Sequence, residues 1–149
     1  MNPALWALVG HTGRGVLVTL KRDGRPQLSN VDYVADPVAH TVRISTTEDR
    51  AKVRNLRRDP RASFYVTTND GSAYVVAEGS ANLSAPATDP DDATVAELVE
   101  VYRGVQGEHP DWDDYRAAMV ADRRLVLRLR IDRIYGWAPR SDTAENSGT

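Results

Sequence analysis

Apolar and polar positions alternate over much of this chain, and the alternation predicts strands joined mostly by tight turns. Across Arg14 to Lys21, Val16, Val18 and Leu20 interleave with Leu17, Thr19 and Lys21, the pattern of a strand buried on much of both faces. Asp23-Gly24 is a favoured hairpin turn, and Pro26 to Val34 returns as the partner strand. Asp36-Pro37 turns the chain into His40 to Thr46, with Val42, Ile44 and Thr46 on one side and Arg43 and Ser45 on the other. Arg61 to Thr67 and Ala73 to Leu83 follow, separated by the turn Asn69-Asp70-Gly71. Ala73 to Leu83 is expected to be the longest strand. One of its faces carries Ala73, Val75, Ala77, Gly79, Ala81 and Leu83, which suits close approach by another backbone or by a flat ligand. Arg124 to Ile131 then sets Leu125, Leu127, Leu129 and Ile131 inward against Arg124, Arg128 and Arg130, and Asp132 to Trp137 reads as a last short strand.

Helical segments are inserted between these strands. Pro3 to Val9 predicts a short helix stopped by Gly10. Asp89-Pro90-Asp91-Asp92 opens a second, with a cap, a proline at the first position and acids in the first turn. Asp111, Asp113 and Asp114 open another in the same way; acids at a helix start stabilise it without any catalytic purpose. Hairpin-linked strands with inserted helices exclude a parallel sheet. They predict an α+β fold, mainly β, in which a small antiparallel barrel carries helices on its outside. The domain is expected to span 1–137, with 138–149, which lacks any large aliphatic residue, as a flexible tail.

At 149 residues there is enough chain for one domain with a real core. The absence of cysteine excludes a disulfide framework, a thiolate nucleophile and a cysteine zinc site. His11, His40 and His109 match no metal-ligand spacing, so no metal is expected. The net charge of -2 gives no general attraction to nucleic acid or anionic membrane. Nothing approaches the ~20 apolar residues of a membrane span, and the start of the chain lacks the features of a signal peptide, so a soluble cytoplasmic protein is expected. Gly10-His11-Thr12-Gly13-Arg14-Gly15 resembles a phosphate loop but lacks its Lys-Ser/Thr ending and precedes a strand. No Gly-x-Ser-x-Gly elbow supports hydrolase chemistry.

One run departs from this ordinary background. Ser45 to Pro60 predicts a strand leading into a short helix whose first turns carry Arg50, Lys52 and Arg54. The amino end of a helix already carries about half a positive charge, so helix stability alone would place acids there. Free backbone N–H groups, the hydroxyls of Ser45, Thr46 and Thr47, and the basic side chains together predict an anion site. Gln27, Ser29 and Asn30 put polar groups into the strand beyond the first hairpin, as either an exposed edge or donors and acceptors for a planar heterocycle.

Three strings carry a family resemblance. They are Gly24-Arg25-Pro26-Gln27-Leu28-Ser29-Asn30-Val31, Arg50-Ala51-Lys52-x-Arg54-Asn55-Leu56-Arg57-Arg58-Asp59-Pro60-Arg61-Ala62-Ser63, and Tyr74-x-Val76-Ala77-Glu78-Gly79. With Asp111-Trp112-Asp113-Asp114-Tyr115-Arg116 and Asp122-Arg123-Arg124, the chain resembles the pyridoxamine 5'-phosphate oxidase-like split β-barrel family. The branch it is most similar to is the actinobacterial flavin/deazaflavin oxidoreductases that use coenzyme F420. The resemblance implies a homodimer with cofactor grooves at the subunit interface. It implies Lys52 and Arg50 on the cofactor phosphate beside Ser45, Thr46 and Thr47, and Gln27, Ser29 and Asn30 by the ring system. It puts Tyr74 in or near the site and gives Arg54 or Arg57 to the acidic tail of the deazaflavin.

The function this implies is a deazaflavin-dependent oxidoreductase passing a hydride to a small electrophilic molecule. FMN in the same fold is the alternative cofactor, and a non-catalytic F420-binding or carrier protein the alternative class. No side chain stands out as an obligatory acid or base, so the proton for the product is expected from Tyr74 or from solvent. An RNA-binding module using Arg50 to Arg61 lacks interleaved aromatics beside the basic run.

Overall fold

Hairpin chemistry begins the sheet. Asp23 accepts a hydrogen bond from the Arg25 amide at 3.0 Å, Gly24 sits at φ 86°, and Lys21 and Arg25 close the turn. This joins β1 (Arg14–Leu20) to β2 (Pro26–Asp32) in antiparallel register. The other strands are β3 (Val34–Asp36), β4 (Thr41–Thr47), β5 (Arg61–Thr67), β6 (Tyr74–Leu83) and β7 (Arg124–Trp137). The helices among the described residues are α1 (Pro3–His11), α2 (Ala51–Arg58), α3 (Ala93–Gln106) and α4 (Trp112–Ala121). The computed structural model describes residues 1–139; most of the expected tail 138–149 lies outside the described residues, and Ala138 packs against the core.

All strand pairs are antiparallel, in the order β2-β1-β5-β6-β7-β4-β3. The sheet curls into a half-barrel, and β2 comes close to β4 at its open side. Leu17, Ile44, Phe64, Val75, Leu127 and Leu129 fill its concave side together with Leu5, Trp6 and Val9 of α1. A second core lies outside β7, where Val126 meets Val95 and Leu98 of α3 and Tyr115 and Met119 of α4. No helix among the described residues is long and apolar enough to cross a membrane.

Several sequence expectations need correction. Pro26 to Val34 is not one strand: the chain breaks at buried Tyr33, whose hydroxyl donates to the Val9 carbonyl, and β3 starts afresh beyond it. Helix α3 begins at Ala93, not beside Pro90. Asp92 is the cap, accepting from the Val95 amide at 2.8 Å, and its second oxygen holds the Thr88 and Asp89 amides in the preceding turn. The longest strand is β7, which fuses the two segments expected at Arg124 to Ile131 and Asp132 to Trp137. Glu78 pairs with Arg133 and Gly79 with Ile131, so Asp132 is a bulge that shifts the alternation by one without ending the strand. The small residue at Gly79 accommodates backbone and not a flat ligand, because a Cβ there would lie 1.8 Å from the Arg130 carbonyl oxygen.

The outer face of the sheet is divided. Arg128, expected to point outward in need of a partner, pairs with Glu97 of α3 and donates to Asn82 at 2.8 Å. Beyond the bulge the outer face is uncovered, leaving Tyr65, Tyr74, Tyr135 and Trp137 exposed. Tyr74 pairs with Trp137 across β6 and β7, and its ring lies 6.1 Å from that of Tyr65.

Candidate functional site: a cationic groove at the start of α2

Helix α2 begins without a side-chain cap. Arg50 occupies the cap position in extended conformation, and no acid lies in the first turn. Of the four amides at this end that lack an ordinary helical partner, that of Arg50 donates to the Thr47 carbonyl and that of Val53 to the Arg50 carbonyl, leaving those of Ala51 and Lys52 without a backbone partner among the described residues. Beside this helix start, Ser29 and Asn30 of β2, Ser45, Thr46 and Thr47 of β4, Arg50 and Lys52 line a groove of about 300 Å³. Strand alternation explains the set from β4: Thr46 points inward and is buried, while Ser45 and Thr47 are half-buried on the other face.

Arg124, the first residue of β7, completes the groove. It lies opposite Thr47 in the β4–β7 ladder, and its Nη1 donates to the Ser45 hydroxyl at 3.2 Å. Its Nε is buried with no partner among the described residues. Sequence patterning grouped it with Arg128 and Arg130 as an outward residue; only the register reveals that Arg124 alone of the three faces the groove.

Lys52, Arg50 and Arg124 have no carboxylate within ion-pair distance among the described residues, whereas neighbouring Arg57 and Arg123 both approach Glu48. Burial, followed by the Arg50 and Arg124 charges, pushes the Lys52 ammonium below its usual pKa. The helix amino end and the neighbouring cations thus concentrate positive potential in the groove.

The other expected site residues are dispersed. Gln27 lies one same-face step along β2 from Ser29, with its Oε1 accepting from Asn55 Nδ2 at 2.6 Å. Arg54 is exposed and donates to the Asp49 carbonyl. Arg57, also exposed, reaches Glu48 at 3.9 Å. Tyr74 is remote from the groove within one chain, on the uncovered outer face.

Behind the groove a chamber of about 400 Å³ runs under α3 and α4, sharing Asn30, Ser45, Lys52 and Arg124 with it. Its far walls include Val101, Tyr102, Val105, Tyr115 and Met119. Sequence patterning does not reveal these residues, because they belong to helices whose spacing signals only packing. The Tyr115 hydroxyl donates to the Leu98 carbonyl at 2.9 Å, and burial pushes its pKa up to about 12, so it is a wall and not an acid.

The chain is similar to proteins of known kind along most of its length. Residues 1–138 match the pyridoxamine 5'-phosphate oxidase family model. The F420H(2)-dependent biliverdin reductase of Mycobacterium tuberculosis is 30% identical over 129 residues, covering 87% of this chain and 82% of that protein. Among solved structures, a conserved hypothetical protein from Mycobacterium tuberculosis superposes with a TM-score of 0.72 at 26% identity, covering 94% of this chain and 86% of the other. A structure described as an F420 reductase shares the fold at a TM-score of 0.70 and 23% identity, over 91% of this chain and 98% of its own. With its curled antiparallel half-barrel and this match across nearly its whole length, the chain belongs to the pyridoxamine 5'-phosphate oxidase family.

Proposed function

We propose that the protein is an oxidoreductase dependent on the deazaflavin coenzyme F420, transferring a hydride from the reduced cofactor to a small electrophilic molecule. The observation that carries this reading is the unneutralised set Lys52, Arg50 and Arg124 at an uncapped helix start. The donor set suits a phosphate: three cations, hydroxyls and free helix amides, with an orphaned guanidinium nitrogen among them. Support for a deazaflavin comes from the F420H(2)-dependent relative. FMN remains the alternative cofactor, because the groove's cations answer to a phosphate common to both.

Lys52 and Arg50 would hold the phosphate with Ser45, Thr46 and Thr47, and Arg124 joins them. Gln27, Ser29 and Asn30 would lie along the ring, while Arg54 and Arg57 would meet the acidic tail. The cofactor supplies the hydride chemistry when bound. The chain's part is to bind, to orient and to exclude water, and the chamber, walled by Val101, Val105 and Met119 together with Asp32, Gln106 and Asp122, gives a small second molecule a place beside the groove. The uncovered face bearing Tyr135 (47% exposed) and Trp137 (57% exposed) supports a homodimer. Tyr74 shares that face, so it would enter a site through subunit contact. Light scattering that found a monomer binding cofactor with full affinity would remove the shared groove from this account.

Turnover tests the whole proposal. Reduced deazaflavin mixed with the protein should be oxidised on addition of an electron-poor conjugated acceptor, with biliverdin, named for the relative, as the first to try. Tight binding with no oxidation by any of a panel of acceptors would point to a carrier protein instead.

A further inference from the structure

Asn55 is 7% exposed, and every polar atom of its side chain is engaged. Its Oδ1 accepts from Arg58 Nη2 at 3.0 Å. Its Nδ2 donates to Thr19 Oγ1 at 3.1 Å and to Gln27 Oε1 at 2.6 Å. The two ends of a side-chain amide have nearly the same shape, but here the orientation is fixed chemically. A guanidinium has no acceptor, so the atom facing Arg58 must be the oxygen of Asn55. Arg58 is itself held by the Leu20 carbonyl at 2.7 Å. Asn55 must therefore donate toward Gln27, and Gln27 must accept through its oxygen. The remaining polar group of Gln27, the Nε2 amide, donates to no protein acceptor among the described residues.

We infer that Asn55 is a positioning residue that sets Gln27 as a hydrogen-bond donor toward the bound ring, so that the groove selects a heterocycle presenting a carbonyl oxygen or unprotonated ring nitrogen there. This rests on the proposal that Gln27 lies along the ring. Two placements support it. Gln27 and Ser29 share one face of β2, about 7 Å apart by strand rise, and Ser29 lines the anion groove. Asn55 lies three residues after Lys52, on the same side of α2. Both members of the pair are thus displaced the same way from the phosphate site, by about one step of their respective elements.

Asn55→Asp tests the inference. The carboxylate keeps the shape and the Arg58 contact but only accepts, so Gln27 must turn over and present its oxygen outward. In the ligand-free protein, NMR should show the Asn55 side-chain amide protons protected and those of Gln27 exchanging freely, with Gln27 becoming protected in Asn55→Asp. Deazaflavin affinity should fall about ten- to a hundredfold in Asn55→Asp and about tenfold in Gln27→Ala. At high salt, where repulsion between the new carboxylate and an anionic ligand is screened, the double variant should be no weaker than Gln27→Ala, a result that a merely structural role for Asn55 would not give. Protected Gln27 amide protons in the unaltered protein, or an Asn55→Asp penalty that persists in full at high salt in the Gln27→Ala background, would overturn the inference. Should the protein bind neither deazaflavin nor FMN, the functional proposal fails, while the NMR comparison still decides the orientation.

Discussion

Replacing Lys52 by alanine should weaken cofactor binding by roughly 1.5–3 kcal/mol, about ten- to 150-fold, while leaving the fold intact. Lys52 is half-buried beside Arg50 and Arg124, with no carboxylate among the described residues to neutralise it. Its charge is repelled by the amino end of the helix and by the neighbouring cations, so its removal does not destabilise the helix start. The same physics gives a pH signature. Because burial and its cationic neighbours lower the Lys52 pKa, the charged form is disfavoured in the free protein and restored by a bound anion. Affinity should be fullest below that lowered pKa and decline as pH rises through it, short of the ordinary 10.5. The alkaline decline should vanish in Lys52→Ala. Isothermal titration across pH measures both effects. An unchanged affinity in the variant would remove this segment from the site.

Gly79→Ala should lower folding stability by about 1–3 kcal/mol, toward the upper end because the new methyl meets backbone. The Cβ would come within 1.8 Å of the Arg130 carbonyl oxygen, at the bulge where β6 and β7 change register. A flexible side chain could rotate away; a carbonyl paired in a sheet cannot. Gly10→Ala provides the control, since a methyl added there on α1 would meet nothing within 4 Å, and the alanine gains helix propensity of roughly 0.5–1 kcal/mol. Urea midpoints that moved alike for both variants would refute the close-approach explanation of Gly79.

The contrast between these sites shows what the sequence could disclose. Strand β5 was legible to the residue, Arg61–Thr67, because Pro60 before it and the Asn69-Asp70-Gly71 turn after it punctuate a clean alternation. The Asp111 cap of α4 was equally clear, since capping is local chemistry. The bulge at Asp132 was not legible: Arg124 to Ile131 and Asp132 to Trp137 read as two strands, and only the pairing with β6 shows them to be continuous. At α3 the proline suggested a start one turn too early: Asp92 is the cap, and its second oxygen instead ties down the turn that contains Asp89.

The cationic groove was half legible for the same reason. Arg50 and Lys52 stand out because they contradict the helix dipole, a conflict contained within a few residues. Arg124 is 72 positions beyond Lys52 in the chain and joins it only through the β4–β7 register, which no periodicity encodes. Asn55 was hidden in a helix that reads as a basic face, and its role appears only when Thr19, Gln27 and Arg58 converge on it.

The most direct test of the deazaflavin proposal is a paired titration of the unaltered protein with coenzyme F420 and with FMN, at low and high salt. The account predicts tighter binding of the deazaflavin, with the preference shrinking as salt rises, because attraction between Arg54 or Arg57 and the acidic tail is screened beyond ~8–10 Å at physiological ionic strength. FMN binding more tightly at every salt concentration would contradict it.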